Sequence, residues 1–204
     1  MNLYIGMTKP QTFVFYGRSG SGKGTQVDLL IKYLSEKDPK RKSLHVETGR
    51  LLREFVAKDK SYTGIKVKDV IDHGGLLPEF VPIHIWAEFM FKNITGDEHI
   101  VCDGVARRAP EAPVLDSAFN FYNRESPHIV LINVSPEWAM ERLLSRGRND
   151  DTKESIKKRS DWFDENVRPA IDFFEKNPYY KFHNINGEQT VEEVHAEIMK
   201  AIKI

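Results

Sequence analysis

Cysteine is nearly absent: Cys102 is the one thiol in 204 residues. A single thiol excludes an internal disulfide and any zinc site built from several cysteines, and it suits a reducing compartment. Long apolar runs are missing as well. None nears the roughly 20 residues that a membrane-spanning helix needs. The opening residues, MNLYIGMTKP, lack a basic stretch followed by an apolar one, so no secretory leader is expected. Neither sign of charge is in excess, with 30 acidic and 30 basic residues. That balance, without a long basic tract, speaks against a general field for nucleic acid. The seven histidines show no metal-ligand spacing. No repeat and no low-complexity linker divides the chain. The remainder is 40% hydrophobic, enough for one domain with a sizeable core. The expectation is a cytoplasmic protein with neither membrane nor nucleic acid as partner.

Short apolar runs alternate with segments of helical period. Residues 12–16, 43–47, 100–103, 129–134 and 180–185 read as five strands. The first, third and fourth are almost continuously apolar, as in a parallel sheet covered on both faces. Between them, Val27, Leu30, Ile31 and Leu34 share a helix face, as do Ile83, Trp86, Ala87, Met90, Phe91 and Ile94. Ser135-Pro136 reads as an N-cap and first turn for a helix carrying Met140, Leu143 and Leu144. Thr190 and Glu193 form a capping box for a last helix with Val191, Val194, Ile198 and Ala201 on one face. Residues 156–174 predict a long helix that Pro169 bends or breaks. Strands alternating with helices imply a doubly wound α/β fold.

In such a fold, ligands bind at the carboxyl ends of the strands. The stretch FVFYGRSGSGKGTQVDLL falls there. Gly17, Gly20, Gly22 and Gly24 let the backbone approach a ligand closely and turn its N–H groups inward as an anion nest. A helix starting near Lys23 adds its free N–H groups, and Lys23 reaches the β- and γ-phosphates as a point charge. Gly24 follows the lysine where the general pattern has Ser or Thr, so hydroxyl contacts pass to Thr25. In HIVCDG, Asp103 closes an apolar strand. Two readings stay open: a carboxylate that holds Mg²⁺ through water, or a turn aspartate before Gly104.

GRSGSGKGTQ, ETGRLLRE, GGLLPEFV, CDGVARRAPEA and RGRNDDTKESIKKR follow one another in an order that resembles the adenylate kinase family of nucleoside monophosphate kinases. The resemblance runs from about residue 12 to the end. It implies a P-loop NTPase fold: a five-stranded parallel sheet flanked by helices, with a helical insertion for the monophosphate and a minimal lid. Within one domain of residues 1–204, the core would take about 12–47, 97–144 and 160–204. The monophosphate segment would take about 48–78 and the lid about 145–159. The implied reaction is reversible transfer of the γ-phosphoryl group from ATP to AMP, with Mg²⁺, by a monomer. Its partners are small nucleotides. Such a transfer needs alignment, a metal and cations around the migrating charge more than covalent help. Arginine suits that task because it is always charged and forks onto phosphate oxygens.

The resemblance assigns Gly20, Ser21, Gly22, Lys23, Gly24, Thr25, Arg142 and Arg146 to ATP. It assigns Thr48, Gly49, Arg53, Leu77, Gly104, Arg107, Glu111, Arg148 and Arg159 to AMP. Lys23, Arg107, Arg148 and Arg159 are the implied catalytic residues, and Asp103 the metal contact through water. Asp150 and Asp151 match lid acids that position the arginines. Arg108 receives no role, and Lys157 and Lys158 read as a solvated face. Trp86, Trp138 and Trp162 read as core or interface residues rather than base platforms. Cys102 reads as inert packing.

The pattern breaks in four places. Only Gly147 separates Arg146 from Arg148, where many relatives insert about thirty residues, some with zinc. No zinc is expected here, and ATP hydrolysis without acceptor is expected to be less well suppressed. Val105 and Ala106 replace the usual Phe-Pro, and Arg50 replaces a usual acid; all three are expected near the acceptor. Glu111 stands where adenylate kinases usually have glutamine. An ionised glutamate only accepts hydrogen bonds. It therefore implies a guanine-type acceptor, a protonated carboxyl, or a rotated side chain with backbone reading adenine instead. AMP leads, guanine is the first alternative base, and a non-catalytic switch or scaffold is the alternative of another class. Against the switch, the chain has no N-K-x-D motif and keeps arginines for two phosphate chains.

Overall fold

The computed structural model describes residues 9–73, 75–146 and 152–204. Five parallel strands form one sheet in the order β2-β3-β1-β4-β5. They are β1 (Thr12–Gly17), β2 (Ser43–Glu47), β3 (His99–Asp103), β4 (His128–Asn133) and β5 (Lys181–Asn186). Each lies within a residue or so of its expected place. Central β1 pairs with β3 on one side and β4 on the other, with Phe15 opposite both Asp103 and Val130.

Alternation along the strands sorts the apolar side chains onto two faces. Phe13, Phe15, Val101, Val130 and Ile132 meet α1 (Lys23–Lys37) and α9 (Val191–Ile202) on one face. Val14, Tyr16, Ile100, Cys102, Ile129 and Leu131 share the opposite core cluster with residues of α4 (Phe80–Asn93), α5 (Ala112–Phe121) and α8 (Arg168–Glu175). Both faces are therefore dry, which is why the inner strands read as continuous apolar runs. The chain leaves β1 towards the first face and β3 towards the second. Their diverging carboxyl ends open a crevice between Gly17 and Asp103.

The helix faces follow the sequence with small corrections. In α4 the buried stripe is Val81, Ile85, Trp86 and Met90, while Phe91 turns outward. In α6 (Pro136–Arg146), Leu143 is buried but Leu144 is substantially exposed. Ser135 caps α6, accepting the Trp138 N–H at 3.3 Å. Thr190 and Glu193 form the expected reciprocal box. Two further helices, α2 (Thr48–Lys58) and α3 (Tyr62–Asp72), follow β2 directly.

The helix over 156–174 does not break at Pro169. It runs as α7 (Lys153–Trp162), one wide π turn over Phe163–Val167, and α8. The Arg168 N–H reaches back five residues to the Phe163 carbonyl. Widening the turn before Pro169 relieves the clash of its ring with the preceding turn, so the helix continues through it.

Candidate active site

The loop after β1 takes left-handed backbone at Gly20 (φ 88°) and Gly22 (φ 84°), which side chains with a Cβ rarely adopt. A Cβ at Gly20 would also press to 2.8 Å from the Ala139 carbonyl of α6. Gly22 caps α1, whose first turn holds no acidic residue, so its positive end is not offset by its own side chains. Lys23 lies on that first turn and bonds Asp103 Oδ1 at the end of β3. Among the described residues the buried hydroxyls of Ser21 and Thr48 have no hydrogen-bond partner, and both line the cavity in front of the loop. Unpartnered buried hydroxyls of this kind suit an anionic ligand with oxygens to spare.

That cavity measures about 730 Å³, and every residue from Gly17 to Thr25 lines it, with Glu47, Asp103, Arg142 and Leu143 among the others. A second cavity of about 520 Å³ is bounded by Leu76, Leu77, Pro82, Arg108, Glu111 and Trp162 among others. Ser19, Thr48, Leu52, Gly104, Arg107 and Arg159 belong to both walls, so the two cavities adjoin. The first is ringed by glycine amides and cations. The second has an apolar floor with one buried carboxyl.

Arg107 is set at the junction by an unusual backbone. Gly104 (φ 67°) and Ala106 (φ 51°) are both left-handed, and the Tyr16 hydroxyl donates to the Ala106 carbonyl at 3.0 Å. For alanine this conformation is strained by about 1 kcal/mol, and burial of Val105 and Ala106 holds it. These two residues lie beneath the site and line neither cavity. The Arg107 guanidinium stacks 4.5 Å above the Trp162 ring. Trp162 is thus a platform for a guanidinium at the second cavity while packing, partly buried, against the core. Arg142 uses Trp138 in the same way at 4.7 Å.

Glu111 lies in a short 3₁₀ turn before α5 and is only 3% exposed. Its carboxylate accepts the Arg107 backbone N–H at 3.3 Å. Burial pushes its pKa up to about 7 against the weaker pull of that N–H and of two nearby arginines. Arg108, which received no role from the sequence, fixes the loop ahead of α4. It donates to the Leu77 carbonyl at 3.2 Å and pairs with Glu79 at 2.9 Å. A second arginine without an assigned role is Arg18. It donates to the carbonyl and hydroxyl of Ser160 at 3.1 Å each and to Asp164 at 2.5 Å, and lies 4.7 Å above the Phe163 ring. It ties the glycine loop to the helix that carries Arg159.

Other expectations fare unevenly. Arg53 lines neither cavity; it bonds Glu47 Oε1 at 3.1 Å and remains largely exposed. Arg50 turns away to Glu54 at 2.8 Å and to the Phe89 ring. Lys157 is solvated and pairs with Asp161, but Lys158 lines the second cavity besides pairing with Glu154. Arg148, Asp150, Asp151 and the Arg146 side chain lie outside the described residues. Arg18 and Arg108 could have been suspected from the sequence only as arginines flanking functional motifs; their partners come from distant segments. Cys102 is buried in β3, and burial raises its thiol pKa far from reactive values. Among the described residues no three His, Cys, Asp or Glu side chains gather as a metal site. A hydrated Mg²⁺ bound together with a nucleotide would need less, since it would keep its waters and the nucleotide's oxygens and ask one carboxylate of the protein. Asp103 fits that need.

Comparison with known proteins agrees with this geometry. The family model described as adenylate kinase matches residues 15–179. Adenylate kinase 1 of Nostoc sp. is 30% identical over 185 residues, covering 91% of this chain and 95% of its own. An adenylate kinase of Prochlorococcus marinus is 31% identical over 189 residues, covering 93% and 97%. The uridylate kinase of Saccharomyces cerevisiae is 30% identical over 194 residues, covering 92% and 88%. With a glycine-loop cavity joined to a second cavity through two arginines, and with these likenesses over nearly its whole length, the chain belongs to the adenylate kinase family and is a nucleoside monophosphate kinase.

Proposed function

We propose that the protein transfers the γ-phosphoryl group of Mg·ATP to AMP, reversibly, giving two ADP. The observation that carries this reading is the shared wall of the two cavities, where Arg107 and Arg159 stand. ATP phosphates would lie against the amides of Gly20, Ser21, Gly22, Gly24 and Thr25, with Lys23 exchanging Asp103 for the β- and γ-oxygens. Asp103 would then hold Mg²⁺ through its waters, and the ion would supply charge neutralisation to the phosphates. Arg142, steadied by Trp138, would border the donor base, and the resemblance assigns Arg146 to the same nucleotide. The AMP phosphate would meet Thr48, Gly49 and Arg107, and its base would enter the cavity of Leu77 and Glu111. Arg53 would join by exchanging Glu47 for phosphate. Arg107 and Arg159, with Arg148 from the short lid, stabilise charge on the migrating group. In this reading residues 48–78 form the monophosphate segment and 145–159 the lid of a monomer. It works in the cytoplasm, where the buried Cys102 stays reduced.

A coupled assay of ATP against AMP, GMP, CMP and UMP, with and without Mg²⁺, tests the proposal. ADP formation with AMP, dependent on Mg²⁺, is expected. Absence of transfer to every acceptor would leave a nucleotide-binding protein without kinase activity. A pyrimidine acceptor is the second reading, favoured by the likeness to a uridylate kinase. Faster turnover with UMP than with AMP would establish it.

A further inference from the structure

We propose that Glu111 reads the acceptor base through its own protonation. As a neutral acid its O–H donates to adenine N1 while its carbonyl accepts from the N6 amine. As a carboxylate it accepts from two adjacent N–H donors, such as guanine N1 and N2. This rests on the reading of the second cavity as the acceptor's base site.

Among the described residues this carboxyl has no cationic partner in an ion pair. Glu111 is 3% exposed yet lines the cavity, among Leu52, Leu76, Leu77 and Pro82. Its hydrogen bond is the long one from the Arg107 backbone, 3.3 Å. Neither neighbouring guanidinium forms an ion pair with it. Arg107 lies over Trp162, and Arg108 is held by Leu77 and Glu79. A buried carboxyl without an ion pair resists ionisation, and its pKa of about 7 leaves both forms populated near neutrality. The charged groups that face it are Arg107, Arg108, Lys158 and Arg159, and Glu79 is paired with Arg108. Tyr16, from β1, is pushed upward by burial and stays neutral. On α8, Arg168 is engaged by Asp172 and Glu175. Asp103 is engaged by Lys23. A glutamine here would present one fixed donor and one fixed acceptor; glutamate makes the pattern depend on a proton.

The test compares the protein with Glu111→Gln from about pH 6 to about pH 8.5, at saturating Mg·ATP. Dividing one kcat/KM for AMP by the other cancels ionisation of the acceptor phosphate. The ratio is expected to fall on the order of tenfold as pH rises. Over the same interval the unsubstituted protein should move from AMP towards GMP, and the variant should not. A flat ratio with AMP turnover intact overturns the inference and leaves the kinase reading standing. If no acceptor is turned over, the kinase reading falls, and carbon-13 NMR of the labelled glutamate carboxyls decides the inference alone. One carboxyl should titrate near neutrality, be missing in Glu111→Gln, and shift its midpoint up with AMP and down with GMP. A midpoint indifferent to both nucleotides overturns it.

Discussion

At the amino end of the sheet, Arg124 is 3% exposed and turns its donors inward. It bonds Thr12 Oγ1 at 2.8 Å and the carbonyls of Gln11 and Glu98 at 3.1 and 2.8 Å. At the carboxyl end, Arg107 and Arg159 stand in the walls of open cavities. The same side chain is a strut in one place and lines open space in the other. The difference lies in what the surrounding backbone offers. The start of a parallel sheet presents carbonyls that a fork can gather, whereas the glycine loop presents N–H groups that need an anion. Histidines follow the same division. His99 and His128 are buried at the amino end, where His99 accepts the Gln11 N–H at 3.0 Å and His128 meets His183 at 2.9 Å. No histidine lines either described cavity.

Substitutions should separate the two ends, and the largest effect belongs to catalysis. Lys23→Met and Arg107→Ala should each lower turnover by about 10²–10³-fold with little change in thermal stability. Full activity in either would remove the carboxyl end from the chemistry. Arg124→Met should do the reverse. Thr12 Oγ1 and the Glu98 carbonyl lose their guanidinium donors while the Gln11 carbonyl keeps the Ile100 N–H, which costs about 2–4 kcal/mol in denaturant unfolding, while activity per folded molecule is kept.

The two ends should also titrate with opposite sign. Burial lowers His128 to about 3, so the folded state prefers the neutral ring while the unfolded chain binds a proton below about 6.5. Its contribution is complete above that value and lost as pH falls towards 3. Glu111, raised from 4.5 to about 7, behaves oppositely: the folded state keeps a proton that the unfolded chain releases, so stability falls as pH rises between those values. Melting temperatures across pH 4.5–7 should therefore show Glu111→Gln gaining on the parent as pH rises. His128→Phe should lose the acid-side slope, on the order of 1 kcal/mol per pH unit. Parallel curves would void the distinction. The smallest effect expected is that of Arg18→Ala, a several-fold fall in kcat from a looser Arg159, with lysine restoring part of it. An unchanged kcat beside a lowered melting temperature would make Arg18 structural only.

The sheet was legible because its three inner strands are buried on both faces and so read as apolar runs. The glycine loop was legible because its chemistry is local: close backbone approach, a helix start and a lysine lie within nine residues, from Gly17 to Thr25. What escaped was long-range. Arg18 meets Ser160 and Asp164 across the fold, and Arg107 finds Trp162, pairs that no spacing announces. The π turn escaped because Pro169 signals a broken helix, while the remedy depends on the packing of Phe163 and Val167. The unusual residue at 111 was visible, but its meaning depended on which guanidiniums pair with it, and that only the fold decides.

The π turn also sets a length. Five residues, Phe163–Val167, take the extra space in a helix that would otherwise wind at 3.6 per turn. Removing one of them would turn the five-residue bond from Arg168 to Phe163 into an ordinary four-residue one, so regular winding would resume with α7 and α8 still in phase, at the cost of the Pro169 clash that the wide turn relieves. Removing Ser160 or Asp161 from the regular winding of α7 would instead turn everything ahead of it, Arg159 included, by about 100°. Single-residue deletions within Phe163–Val167 should therefore be better tolerated than deletions at Ser160 or Asp161.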